Sequence, residues 1–377
     1  MAKIVRLKAK VKTQEAAVKQ EELNEELFNN EIPGEDLVEN APAKKKTKAA
    51  KPEEETPEDK LVTSMQDTLD NMKLSKRVFK KVPLDDSTDY IRHLVSFYYM
   101  MQDNRIKINN QSSSIERRKE SEEDENLNDL DSVMMQFFTG QMEEVEENLK
   151  VFLDVWTDRH PIGIWLKSIT GIGPVIAAGL IARFDVTKSQ TAGGFWSYIG
   201  WASGGPNRKT RKRGQKLDYS PETRTLVWKA GSSFRMQNSR KNCYYGKLYL
   251  QKKADYIAKN NAGGFAENAA YELSSKKFDM STKTYQAYSS GKLTDAHIDA
   301  MALRYAAKIF VSHLFDVMFM WQYGEMPPKP YAMVHLNGHT HYLIPQNIEL
   351  MIEPLSKKFP NVNWREAIVN HYHHSID

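Results

Sequence analysis

Ile169-Thr170-Gly171-Ile172-Gly173-Pro174-Val175-Ile176-Ala177-Ala178 sets two apolar runs on either side of a Gly-x-Gly-Pro corner. Pro161 opens the run before the corner and Pro174 the run after it. Proline suits the first position of a helix, where its missing N–H costs nothing, so the stretch predicts a helix over 161–169, a turn over 170–173 and a helix over 174–183. Gly171 and Gly173 let the backbone turn sharply and leave amides uncovered, at the end of a helix whose dipole is positive there. A corner of this kind suits a phosphate. Gly-x-Gly-Pro alone is a weak motif, and a plain helix–helix turn is the other reading.

Downstream, Arg208-Lys209-Thr210-Arg211-Lys212-Arg213-Gly214-Gln215-Lys216 holds six cations in nine residues. From Gly205 to Asn260 there are fifteen Lys and Arg against three acids. This stretch therefore carries +12 of a chain whose net charge is +4, and the remainder sums to −8. Such separation favours a polyanionic partner on one face, with binding that depends steeply on salt. Arg224, Lys229, Arg235, Arg240 and Lys241 continue the charge, interleaved with Trp228, Phe234, Tyr244, Tyr245 and Tyr249. Those aromatics divide between stacking on unpaired bases and packing in the core. Further on, His297, Met301, Arg304 and Lys308 fall on one stripe of a long helix over 294–323. A second phosphate-facing surface and salt bridges to the acidic hairpin around Glu120 to Glu147 both fit that stripe.

Upstream, Ile91, Leu94, Tyr98, Met101 and Ile108 recur at helical steps, with Arg105 in one turn of the stripe. Leu127, Leu130, Met134, Phe137, Met142, Val145, Leu149, Phe152 and Trp156 repeat the pattern, with a slip near Gly140. Between these two helices, Glu120 to Glu147 holds eleven acids and no Lys or Arg, so the turn is expected there and an antiparallel coiled-coil hairpin follows. Residues 1–60 mix Lys, Glu, Ala and Pro without paired apolar positions and read as a disordered charged tail. Further helices are predicted over 195–199, 221–236 and 244–259, with loops over 185–194 and 200–214, and no strand series is present. The chain is thus expected to be mainly α: a tail over 1–60, a helical coiled-coil region over 61–158 and a nucleic-acid-binding helical domain over 159–377.

With 377 residues, 40% hydrophobic, the chain can bury a substantial core. The single Cys243 forms no internal disulfide and no signal-peptide pattern is read, which places the chain in a reducing cytoplasm. Lys308, His313 and Asp316 interrupt the apolar run Tyr305 to Tyr323, which reads as a buried helix and not a membrane span. His335, His339, His341, His371, His373 and His374 cluster late in the chain but without Cys, Asp or Glu at ligand spacing, so neither metal nor cofactor is expected. No carboxylate set of the kind a two-metal nuclease needs is visible. A nucleophile reading would choose Ser203 in Trp201-Ala202-Ser203-Gly204-Gly205.

The glycine corner, followed by Phe195-Trp196-Ser197-Tyr198-Ile199-Gly200 and Ser203-Gly204, resembles over about residues 160–240 the C-terminal domain of RNA-guided insertion-sequence transposases. Those enzymes carry a RuvC-like DEDD domain in front, and no such domain is read here. The resemblance implies that Ser203 matches the serine that joins their strand exchange. A coiled-coil hairpin feeding into such a domain also looks like the Nop domain of box C/D ribonucleoproteins and of Tas proteins that use tandem-guide RNAs. That resemblance implies a Nop-like fold with a glycine helix-hairpin-helix, a structured guide RNA as partner, target DNA where pairing selects one, and a homodimer through the coiled coil. The first expectation is therefore a guide-RNA-binding protein of a mobile-element or phage system, without a nuclease domain. The alternatives are a transposase or recombinase using Ser203 and a non-specific DNA-binding architectural protein.

Overall fold

The computed structural model describes residues 57–81, 87–120, 129–202, 216–330 and 342–373, together with Gly214. Among them the protein is mainly helical, with no strand. In chain order the helices are α1 Pro57–Asn71, α2 Lys76–Lys81, α3 Thr88–Glu120, α4 Asp129–Asp158, α5 Pro161–Ser168, α6 Pro174–Arg183 and α7 Ala192–Tyr198. They continue as α8 Pro221–Met236, α9 Tyr244–Asn261, α10 Ala266–Ser275, α11 Lys283–Ser289, α12 Asp295–Tyr323, α13 Ile352–Lys358 and α14 Trp364–His373. The predicted tail lies outside the described residues except for its last four, which already belong to α1.

The chain divides into two compact units, one formed by Met1–Leu74 and Tyr99–Asn148, the other by Ser75–Tyr98 and Leu149–Asp377. In the first unit, Asn148 closes the end of α1: its Nδ2 donates to the Met72 carbonyl at 2.7 Å and its Oδ1 accepts from the Leu74 amide at 2.8 Å. Arg105, the polar break in the α3 stripe, is held by α4. Its Nε donates to Glu146 Oε1 at 2.6 Å and its Nη2 to Glu146 Oε2 at 3.1 Å.

The second unit is built around α12. From Ala302 to Met320 nearly every turn of α12 buries Ala, Leu, Phe, Val or Met, because α8, α9, α7 and α5 pack around it. Thr294 caps its start by accepting from the His297 amide, and Gly324 ends it in the left-handed region. Among the described residues no helix is long and apolar enough to cross a membrane. Ser220 caps α8 as the Ser-Pro sequence predicts. Between α6 and α7 the predicted loop is shorter than expected. A 3-10 turn occupies Val186–Lys188, and α7 starts at Ala192 despite Gly193 and Gly194, since Ala192 and Phe195 are buried and dock it. The helices α10, α11, α13 and α14, none longer than ten residues, go beyond the sequence reading. Of these, α10 and α11 close a small separate cluster with Phe265, Ala269, Tyr288, Leu293 and Ile298.

Candidate nucleic-acid interface

The glycine corner forms as the sequence predicts, with helices on both sides of 169–173. Gly171 takes φ of 104°, a left-handed conformation that a side chain resists. A Cβ there would also lie 3.0 Å from the Phe234 ring. The corner is thus seated against the end of α8, and the buried Cys243 thiol points to the Thr170 carbonyl at 3.9 Å. Gly173 is exposed, has open space where a Cβ would be, and no side chain caps the α6 start behind it. Burial pushes the Cys243 thiol pKa up, while Arg240 and Lys247 oppose the rise. Both cations are exposed beside a thiol that touches the corner. Lys241, also exposed, follows Arg240 in the turn before α9.

The stripe on α12 produces the more informative arrangement. Arg304 and Tyr305 follow Met301 by three and four residues and precede Lys308 by four and three, so the four share one side of the helix. They line an open cleft of about 300 Å³, walled by Tyr256 of α9, by Arg224 of α8 and by Trp201 after α7. None of the described residues lining it is acidic. Lys252, one turn before Tyr256, holds its ammonium 5.2 Å from the Tyr256 ring centre and 5.0 Å from that of Tyr305, and lies 3.6 Å from Asp255. Arg224 lies over Tyr219 at 5.3 Å. Tyr219 is itself fixed by Gly200, which has φ of 68° and whose missing Cβ would fall 2.7 Å from the Tyr219 ring.

Lys308 is fixed from both ends by Trp196. The indole N–H donates to the Lys308 carbonyl at 3.1 Å, and the ammonium lies 4.1 Å from the indole centre. Burial lowers the Lys308 pKa, and the charge of Arg304 one turn away lowers it further. Two cations half-buried at i and i+4 repel each other.

Other cations are neutralised within the protein. Arg235 Nη1 donates to Asp299 Oδ2 at 2.7 Å and Lys253 Nζ to Asp299 Oδ1 at 2.7 Å, while the Tyr249 hydroxyl donates to the same carboxylate. Burial opposes ionisation of Asp299, but these three donors outweigh it and hold its pKa at about 2. Arg235 therefore spends one guanidinium edge on the fold. A second cavity, of about 330 Å³, is lined by Arg92, Arg183, Lys188 and Asp185 among others. Its cations are engaged: Arg183 with Glu222 at 2.6 Å, Lys188 with Asp185 at 3.1 Å and Arg92 with Asp89 at 2.6 Å.

Of the residues singled out in the sequence, Arg224, Arg304 and Lys308 meet at one cleft, Lys229 is half-buried on α8, and Lys216 is exposed. Arg208, Lys209, Arg211, Lys212, Arg213 and Ser203 lie outside the described residues, as do His335, His339, His341 and His374. Three of the five interleaved aromatics are core: Phe234 and Tyr245 stack 4.9 Å apart beneath Phe310, and Tyr249 is buried. Tyr256, Tyr305, Trp196 and Trp201 hold the cleft instead. Tyr305 stands within the α12 stripe, one residue from Arg304, and that adjacency is the signal that finds it. His297 leaves the stripe for Tyr288, whose hydroxyl is 3.3 Å from its Nδ1. Among the described residues no group of three or more His, Cys, Asp or Glu is placed to hold a metal ion. No family model, curated protein or solved structure matches the chain.

Proposed function

We propose that this chain is an RNA-binding protein that holds a structured guide RNA. In this reading α5 to α14 serve as a Nop-like core. The helices α3 and α4 form an antiparallel coiled coil that makes a homodimer, and base pairing by the RNA supplies any choice of target DNA. The observation that carries the reading is the cleft at α12, where Arg224, Arg304 and Lys308 converge with three aromatic rings and no acid among the described lining residues. Cations with adjacent aromatics are the chemistry of a nucleic-acid strand. The exposed Gly173 corner, flanked by Arg240 and Lys247, and the +12 charge of Gly205 to Asn260 support it as backbone contacts.

The protein purified from its own host is expected to carry RNA of defined length, and to bind that RNA more tightly than DNA of equal length. Binding measured by fluorescence anisotropy across a salt series gives the electrostatic part. The variant Arg304→Ala/Lys308→Ala should lower the slope of log affinity on log salt by roughly 1.4, about 0.7 for each phosphate contact to a single strand. Protein free of nucleic acid and without preference for RNA over DNA overturns the proposal. Equal binding to any DNA duplex would assign the surface to a DNA-binding architectural role.

A further inference from the structure

The geometry points to the α12 cleft as a seat for unpaired nucleotides of the RNA, with bases stacked on Tyr305 and Tyr256 and their phosphates held by Arg304 and Lys308. This inference rests on the RNA-binding reading and adds which part of the RNA the cleft takes. Duplex surfaces offer phosphates and groove edges, while the faces of their bases are covered by neighbours in the stack. A cleft built for a duplex needs cations and gains nothing from recessed rings. Here the rings are half-buried: Tyr305 shares the cleft side of α12 with Arg304 and Lys308, and Tyr256 of α9 lines the same cleft. Only a strand whose bases are free to enter between helices reaches both the rings and the cations that line the cleft with them.

A further feature favours a strand over simple packing. The Trp196 clamp on Lys308 fixes one cation's position before any ligand arrives, which reduces the ordering cost of binding.

Full-length protein is tested against a single-stranded RNA and against the same sequence as a duplex, with Tyr256→Leu, Tyr305→Leu and the corresponding Phe variants. Each Leu variant is expected to weaken single-strand binding by about tenfold or more, with duplex binding and the salt slope unchanged, and each Phe variant to restore it. Equal losses for both RNAs, or Leu variants that bind like the unsubstituted protein, overturn the inference. If the Leu variants do not fold, an RNA with 2-aminopurine at an unpaired position tests the unsubstituted protein. Its fluorescence should be quenched on binding, and unquenched fluorescence in a saturated complex at every unpaired position overturns the inference equally. Unsubstituted protein that binds no RNA at all removes the functional reading beneath it. Loss of binding in Arg304→Ala/Lys308→Ala but in neither Leu variant removes only the stacking.

Discussion

Gly171 holds a backbone conformation that costs other residues energy, and it does so against the ring of Phe234. Gly171→Ala is therefore expected to destabilise the protein by about 1–3 kcal/mol, whereas Gly173→Ala, with ordinary φ and open space, should leave the urea midpoint within error. A similar melt for both variants would contradict this. The buried polar residues of α12 make a second claim. Asp316 accepts from Tyr342 at 2.8 Å and Tyr372 at 3.0 Å, yet burial outweighs these bonds and raises its pKa to about 7 from an unfolded value of 3.8. The folded state then holds a proton the unfolded chain has lost, so stability falls as pH rises from about 4 to 7. His313, bonded to the Tyr245 hydroxyl at 2.8 Å, is lowered by burial to about 3 from 6.5. Here the unfolded chain holds the extra proton, so stability falls as pH drops from 6.5 towards 3. Between about pH 4 and 6.5 the two slopes oppose each other. Relative to the unsubstituted protein, Asp316→Asn should lose stability on acidification from pH 6.5 to 4.5 and His313→Gln should gain it, each by at most about 1.4 kcal/mol per pH unit. Urea midpoints that run parallel for all three proteins would rule this out. The sequence reading places His313 and Asp316 in a buried helix from the apolar residues around them. Their partners Tyr245, Tyr342 and Tyr372 come from distant segments, and no local pattern announces such a pairing.

Element starts were the most legible feature, because capping and proline chemistry is local. Ser220-Pro221 and Thr294 mark the starts of α8 and α12, and Pro161 and Pro174 open the two helices of the corner. The short helices α10, α11, α13 and α14 complete at most three turns each, too few for a period to emerge from their polar neighbours. Arg105 interrupts the apolar period of α3, and its explanation lies on another helix. Glu146 is its bidentate partner and its side chain is only 8% exposed. Removing Arg105 leaves that carboxylate half-stranded, so Arg105→Met is expected to destabilise the first unit by about 3 kcal/mol. Arg105→Met/Glu146→Leu should recover most of the loss, since replacing both partners with apolar groups leaves no stranded charge. A double variant as unstable as the sum of the two single ones would show that the pair contributes nothing as a pair.

Over the whole molecule, the sequence located the charge but not its disposition. The +12 stretch predicts a basic face, while the structure commits two of its cations, Arg235 and Lys253, to Asp299 and sets a third, Arg224, at the α12 cleft with Arg304 and Lys308 from beyond the stretch. That division depends on which acids the fold brings alongside, and Asp299 is 64 residues from Arg235. The densest cations, Arg208 to Arg213, follow Trp201 of the cleft by only a few residues in the chain. If they and the cleft hold one RNA, their contributions to log affinity should add. Replacing Arg208, Lys209, Arg211, Lys212 and Arg213 with Ser should weaken RNA binding and lower the salt slope by roughly 0.7 for each phosphate no longer neutralised. Combining this with Arg304→Ala/Lys308→Ala should lower affinity by about the product of the two separate factors, with one RNA per chain in every case. Were this basic stretch to bind a second RNA independently of the cleft, titration would give two RNAs per unsubstituted chain. Each set of substitutions would then abolish one of them and leave the affinity of the other intact.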